Sequence, residues 1–111
     1  MLGVKEGKEE RTILFKGELK RYFIAGLIDI WGYISSEGGR PYIKLYIPPE
    51  FRKMAEELDR GLATYPNYFV IHLGQGQRLA EAIKKYPISN PYLLYPILWW
   101  KETGELKKWP L

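Results

Sequence analysis

Apolar positions along this chain follow two rhythms. From Glu18 to Ile30 they recur at helical spacing and thicken into Ile24-Ala25-Gly26-Leu27-Ile28, which predicts a helix over 18–30 that Gly32 ends. After it the period drops to two. Ile43, Leu45 and Ile47 alternate with Tyr42, Lys44 and Tyr46, so one set belongs on a core face and the other faces away. Tyr33–Ser35 is the expected partner strand, across a glycine-bearing turn from Ser36 to Pro41. Pro48-Pro49 stops the second strand and opens a helix whose Phe51, Met54, Ala55 and Leu58 fall at i, i+3, i+4 and i+7. That spacing makes Met54 a core residue, and Gly61 closes the helix.

The connection from Leu62 to Asn67 leaves room for a brief strand at Leu62–Tyr65, and Tyr68–Leu73 reads as a full strand. Gly74-Gln75-Gly76 leads into a helix over Gln77–Lys85, with Leu79, Ala80 and Ile83 on its inner side. Tyr86-Pro87 ends it, and Ser89 and Asn90 are N-cap candidates before Pro91. A last helix carrying Leu93, Leu94, Ile97, Leu98, Trp99 and Trp100 is expected to break or restart at Pro96 and to stop at Gly104. Trp99, Trp100 and Trp109 read as packing residues. Residues 1–16 form a polar tail with a short extended segment at Thr12–Phe15, and 105–111 form a second tail. A single α+β domain over 1–111 follows, with an antiparallel sheet backed by helices.

One detail of the first helix needs a cause. A mid-helix glycine costs about 1 kcal/mol relative to alanine, and Gly26 stands beside another small residue, Ala25. Small residues let a second backbone approach closer than the ordinary helix separation. The nine residues Ile24-Ala25-Gly26-Leu27-Ile28-Asp29-Ile30-Trp31-Gly32 resemble the signature of the LAGLIDADG homing-endonuclease family. Positions two to six and the last glycine agree letter for letter. The resemblance implies an α-β-β-α-β-β-α saddle and a homodimer built on this helix, with Ala25, Gly26 and Asp29 at the interface. It also implies a concave sheet lying in the DNA major groove, with alternate strand residues toward the bases. Carried onto this chain, the nucleic-acid-binding set is Tyr33, Ser35, Tyr42, Lys44, Tyr46, Tyr68, Val70 and His72, with Arg40 at the hairpin tip.

The chain departs from the family where the chemistry lies. The family's metal-binding acid, just before the last glycine, is Trp31 here, and indole offers a hard cation such as Mg²⁺ no oxygen ligand. Asp29 and Glu37 are the nearest remaining acids. Asp29 lies about 200° round the helix from Trp31 and so points elsewhere. No metal or other cofactor is therefore expected, Mg²⁺ entering only with a residual nuclease. His72 is the only histidine, which excludes a two-histidine metal site, and without cysteine there are no disulfides or thiolate ligands. Gly74-Gln75-Gly76 is an incomplete anion-binding pattern, lacking the lysine of a phosphate loop.

Composition adds little more. A net charge of +4 and a pI near 9.2 permit nucleic-acid binding, and a dimer would double the charge. Lys20 and Arg21, near the helix start and so at the wrong end of its dipole, are read as placed for solvent first and for a partner second. No apolar run approaches the roughly 20 residues of a membrane span and no signal peptide is visible, so a cytoplasmic protein is expected. Abundant charge with scarce Asn and Gln leans toward a thermophilic source. The leading expectation is binding of double-stranded DNA without cleavage, possible as a regulator. An endonuclease using displaced acids, an RNA-binding splicing cofactor and a protein-interaction module are the alternatives. The tyrosine-rich outward set keeps RNA open, because Tyr suits stacking on unpaired bases better than reading base edges.

Overall fold

The computed structural model describes residues 17–51, 56, 58, 60–66 and 70–107. Helix α1 spans Gly17–Trp31, strand β1 Gly32–Glu37 and strand β2 Arg40–Tyr46. A single 3₁₀ turn follows at Pro49–Phe51, then strand β3 at Val70–Leu73, helix α2 at Gln77–Lys85 and helix α3 at Pro91–Thr103. The chain is α+β: the strands form one antiparallel sheet in the order β1-β2-β3, backed by the helices. A further strand segment is reduced to one isolated bridge, Ala63 with Leu73. The expected tail at 1–16 and residues 108–111 of the expected 105–111 tail, with Trp109, lie outside the described residues, as do Met54, Ala55 and Tyr68.

The hairpin is tighter than its sequence suggests. Both strands run on to Glu37 and Arg40, leaving only Gly38 and Gly39 in the turn. Their φ values of 61° and 79° are the positive pair that a type I′ turn demands, and only glycine takes both cheaply. The end of α1 is equally constrained. A Cβ on Gly32 would sit 2.6 Å from the Ile28 carbonyl oxygen and 2.9 Å from Ile43 Cγ2, so helix and central strand meet where a side chain cannot fit.

The expected break at Pro96 does not occur; α3 is continuous through it. Proline removes the amide that would bond the Tyr92 carbonyl. The ring is fully buried, which offsets that loss with apolar contact. The ends of α3 follow the sequence signals. The Asn90 side chain accepts from the Tyr92 amide, and Gly104 adopts the left-handed conformation with its amide bonded to the Trp100 carbonyl.

The core lies between sheet and helices. Ile24 and Ile28 of α1 meet Ile34, Ile43, Leu45 and Leu73 from the three strands. Leu79 and Ala82 of α2, with Leu93 and Ile97 of α3, complete it. Each such aliphatic side chain contributes about 1.5–3 kcal/mol by leaving water. Among the described residues no charged or polar side chain is buried.

Candidate nucleic-acid interface

Register decides what the outer face of the sheet carries. Tyr33 pairs with Lys44, Lys44 with His72, and Ser35 with Tyr42, while Glu37 faces Arg40 at the hairpin tip. These residues share one face, opposite Ile34, Ile43, Leu45, Ile71 and Leu73. Lys44 stands in the middle of the central strand. Its cross-strand neighbours are Tyr33 and His72, and its neighbours two residues along β2 are Tyr42 and Tyr46. A lysine thus has an aromatic residue at each of its four neighbouring positions on the face.

The rings are in contact with one another. Tyr33 and Tyr46 stack at 5.5 Å between centroids and 8° between planes. Tyr42 meets His72 at 4.8 Å, and Tyr65 meets the same imidazole edge-on at 5.1 Å. The Lys44 ammonium lies 5.7 Å from the Tyr46 ring centroid, within cation–π range. Tyr33 and Tyr46 remain 42% and 46% exposed, so each offers surface to a ligand.

Electrostatics follow from this packing. Partial burial, then the hydrogen bond to Tyr46 and the nearby Tyr46 and Tyr42 hydroxyls, push the Tyr33 pKa up to about 12. The same hydrogen bond lowers that of Tyr46, with Lys44 adding to the effect against the opposing influence of burial. Of the two phenols, Tyr46 is therefore the one that ionises more readily. The His72 pKa lies below its ordinary 6.5, first because burial disfavours the imidazolium and then because Lys44 repels it; Glu37 acts the other way.

Tyr65 is the member that the sequence does not disclose. It lies in the connection before β3, carried beside His72 by the Ala63–Leu73 bridge and by the Thr64 amide and hydroxyl, which donate to the His72 carbonyl at 2.7 and 3.1 Å. No periodicity marks a single bridge. Ser35 and Val70 are half-buried on the same face, opposite Tyr42 and Tyr46. Arg40 is exposed, its Cδ lying along Gly76, and Tyr68 is outside the described residues.

The signature residues divide between two sides of α1. Ala25 is buried in the chain's own core, whereas a Cβ built on Gly26 meets nothing within 4 Å. Leu19, Tyr22 and Ile30 flank that open position and are 50%, 62% and 68% exposed. At 100° per residue the four fall within an arc of about 80°.

Asp29 is engaged within its own chain. Its carboxylate accepts from the Ser89 amide and hydroxyl and from the Asn90 amide at 3.0–3.1 Å, while Asn90 Nδ2 donates to the Asp29 carbonyl. It thereby ties the end of α1 to the start of α3. Trp31 is half-buried and packs on Phe51, centroids 5.1 Å apart. Glu37 stands at the far end of β1, about 17 Å from Gly32 at strand rise, so it cannot share an ion with a group at position 31. Among the described residues no three His, Asp or Glu side chains gather around one point.

Arg21 is partly exposed, as its place near the helix start implies, and is also tied to neighbouring groups. Its Nε donates to the Lys85 carbonyl at 2.9 Å, placing a cation at the C-terminus of α2, and its Nη1 meets Glu18 at 2.6 Å. The amide of Gly76 donates to the Pro41 carbonyl, so this glycine of the incomplete anion pattern joins α2 to the hairpin. No described helix is long and apolar enough to cross a membrane. No protein-family model, curated protein or solved structure matches the chain.

Proposed function

We propose that this chain binds nucleic acid through the outer face of its sheet, on a homing-endonuclease-type scaffold that does not cut. Double-stranded DNA is the ligand that the signature resemblance implies, with two sheets side by side in a homodimer. The observation that carries the reading is Lys44 with its four aromatic neighbours: a cation for phosphate among aromatic surfaces, on a face the core does not use.

Two findings support binding without cleavage. The position of the family's metal acid holds an indole packed on Phe51, and the Asp29 carboxylate already accepts three hydrogen-bond donors. The dimer is supported by the open stripe around Gly26 on α1. RNA is a second ligand favoured by the same tyrosines, whose rings stack on unpaired bases.

Fluorescence anisotropy with labelled duplex DNA across a salt series tests the proposal. Binding that weakens with salt is the expected result, and no binding of duplex or RNA at low salt overturns it. Nicking assays on supercoiled plasmid with Mg²⁺ or Mn²⁺ are expected to show intact plasmid; metal-dependent nicking would reinstate the endonuclease. Sizing in solution is expected to give twice the monomer mass.

A further inference from the structure

We propose that the ligand of this sheet face is a nucleic-acid segment with unpaired bases, which stack on the rings around Lys44 while a backbone phosphate meets its ammonium. The inference rests on the nucleic-acid reading and narrows it to a ligand class. Three observations favour an unpaired segment over a closed duplex.

The first is what the face lacks. Reading a duplex through its major groove takes Arg, Asn and Gln side chains that bond base edges in pairs. Among the described residues of this face, only Arg40 is of that kind, and it stands opposite Glu37 at the hairpin tip. The second is charge. Arg40 stands opposite Glu37 in the strand register, and among the described residues of the face Lys44, at its centre, has no acid opposite it on either neighbouring strand. A duplex gripped by its phosphates needs several cations, and its affinity falls steeply with salt for that reason.

The third is the rings themselves. Tyr33, Tyr42, Tyr46, Tyr65 and His72 form two touching groups, one on each side of Lys44 along β2. Tyr42, Lys44 and Tyr46 are spaced at about 6.8 Å, two strand rises apart. A ring, a cation and a ring in succession is the order a single strand presents as base, phosphate and base. Every base has a face to stack, so binding of this kind tolerates sequence and distinguishes strand state.

The test compares labelled oligo(dT), oligo(rU) and a blunt DNA hairpin whose strands are joined by a non-nucleotide linker, of matched nucleotide number, with the full chain. The expected result is at least about tenfold tighter binding of an oligonucleotide than of the hairpin, with a salt slope of about −0.7 to −1.4, one or two phosphates per chain. Tyr46→Leu and Tyr42→Leu should each weaken oligonucleotide binding by about fivefold to a hundredfold at an unchanged circular-dichroism spectrum, and should weaken hairpin binding by less. Lys44→Met should flatten the slope by about 0.7. Preference for oligo(dT) or for oligo(rU) names the source of the strand, and either supports the inference. A hairpin bound as tightly as both oligonucleotides, or tyrosine variants that bind as the parent does, overturns the inference and leaves the nucleic-acid reading standing. Failure of all three probes at low salt overturns both.

Discussion

At the scale of single residues, the signature stretch is held by what each position excludes. Gly32 is glycine because the Ile28 carbonyl and Ile43 Cγ2 occupy the place of a Cβ. Both neighbours are held, one in helical backbone and the other in the core. Gly32→Ala is expected to cost about 1–3 kcal/mol through overpacking, seen as a lower urea midpoint at unchanged m-value. Asp29 works by attraction. Its carboxylate serves three donors at the start of α3, so Asp29→Ala strands those donors and is expected to cost about 1.5–3 kcal/mol. Asp29→Asn retains one acceptor oxygen and should lose less. Equal losses in the two variants would show that the negative charge, and not the acceptor geometry, joins the helices. The sequence shows Ser89 and Asn90 as cap candidates and Asp29 as a residue of the signature; nothing in a linear pattern links positions sixty apart.

At the scale of elements, helical and strand periods carried most of the fold. The bounds of α2 are those its apolar spacing predicts, and α1 and β2 differ from expectation by one or two residues at their ends. The alternation in β2 also separated its core face from its outer face correctly. At Pro96 and at the hairpin turn a local rule meets a tertiary one. Pro96 reads as a break, yet burial of its ring keeps α3 whole. The Ser36–Pro41 turn reads as a loop of six, yet Gly38-Gly39 suffices when cross-strand pairing extends to Glu37 and Arg40. Helix α1 presents a different case, a helix with apolar residues on two opposite sides. Its outward stripe makes Gly26 decisive. In a monomer Gly26→Ala adds a Cβ to open space and relieves a helical glycine, which stabilises by about 1 kcal/mol. In a dimer packed through that stripe the same Cβ separates two backbones and weakens association. Sedimentation and thermal unfolding of Gly26→Ala at several concentrations decide between these outcomes; the proposed dimer requires a weaker dimer from a more stable monomer.

At the scale of the whole molecule, the proposed nucleic-acid reading makes His72 a link between folding and ligand binding with opposite signs. The imidazole lies between the Tyr42 and Tyr65 rings, faces Lys44 across the strand pair, and feels Glu37 as the one opposing charge. Burial and Lys44 together hold its pKa below 6.5, so as pH falls the unfolded chain takes up this proton before the folded chain does. The stability that the neutral ring contributes is therefore complete above about pH 6.5 and is lost as pH drops through the lower, folded-state value. Binding runs the other way, because a protonated His72 beside Lys44 offers a phosphate a second cation. His72→Phe keeps a ring between the two tyrosines and removes the proton. Relative to that variant, the native chain should lose stability below pH 6.5 while gaining affinity for oligo(dT), with a salt slope steeper by about 0.7. Urea midpoints and anisotropy titrations over the same pH range measure both. Parallel pH curves for the two proteins would remove His72 from either role, whereas stability and affinity falling together would place the imidazolium away from the bound phosphate.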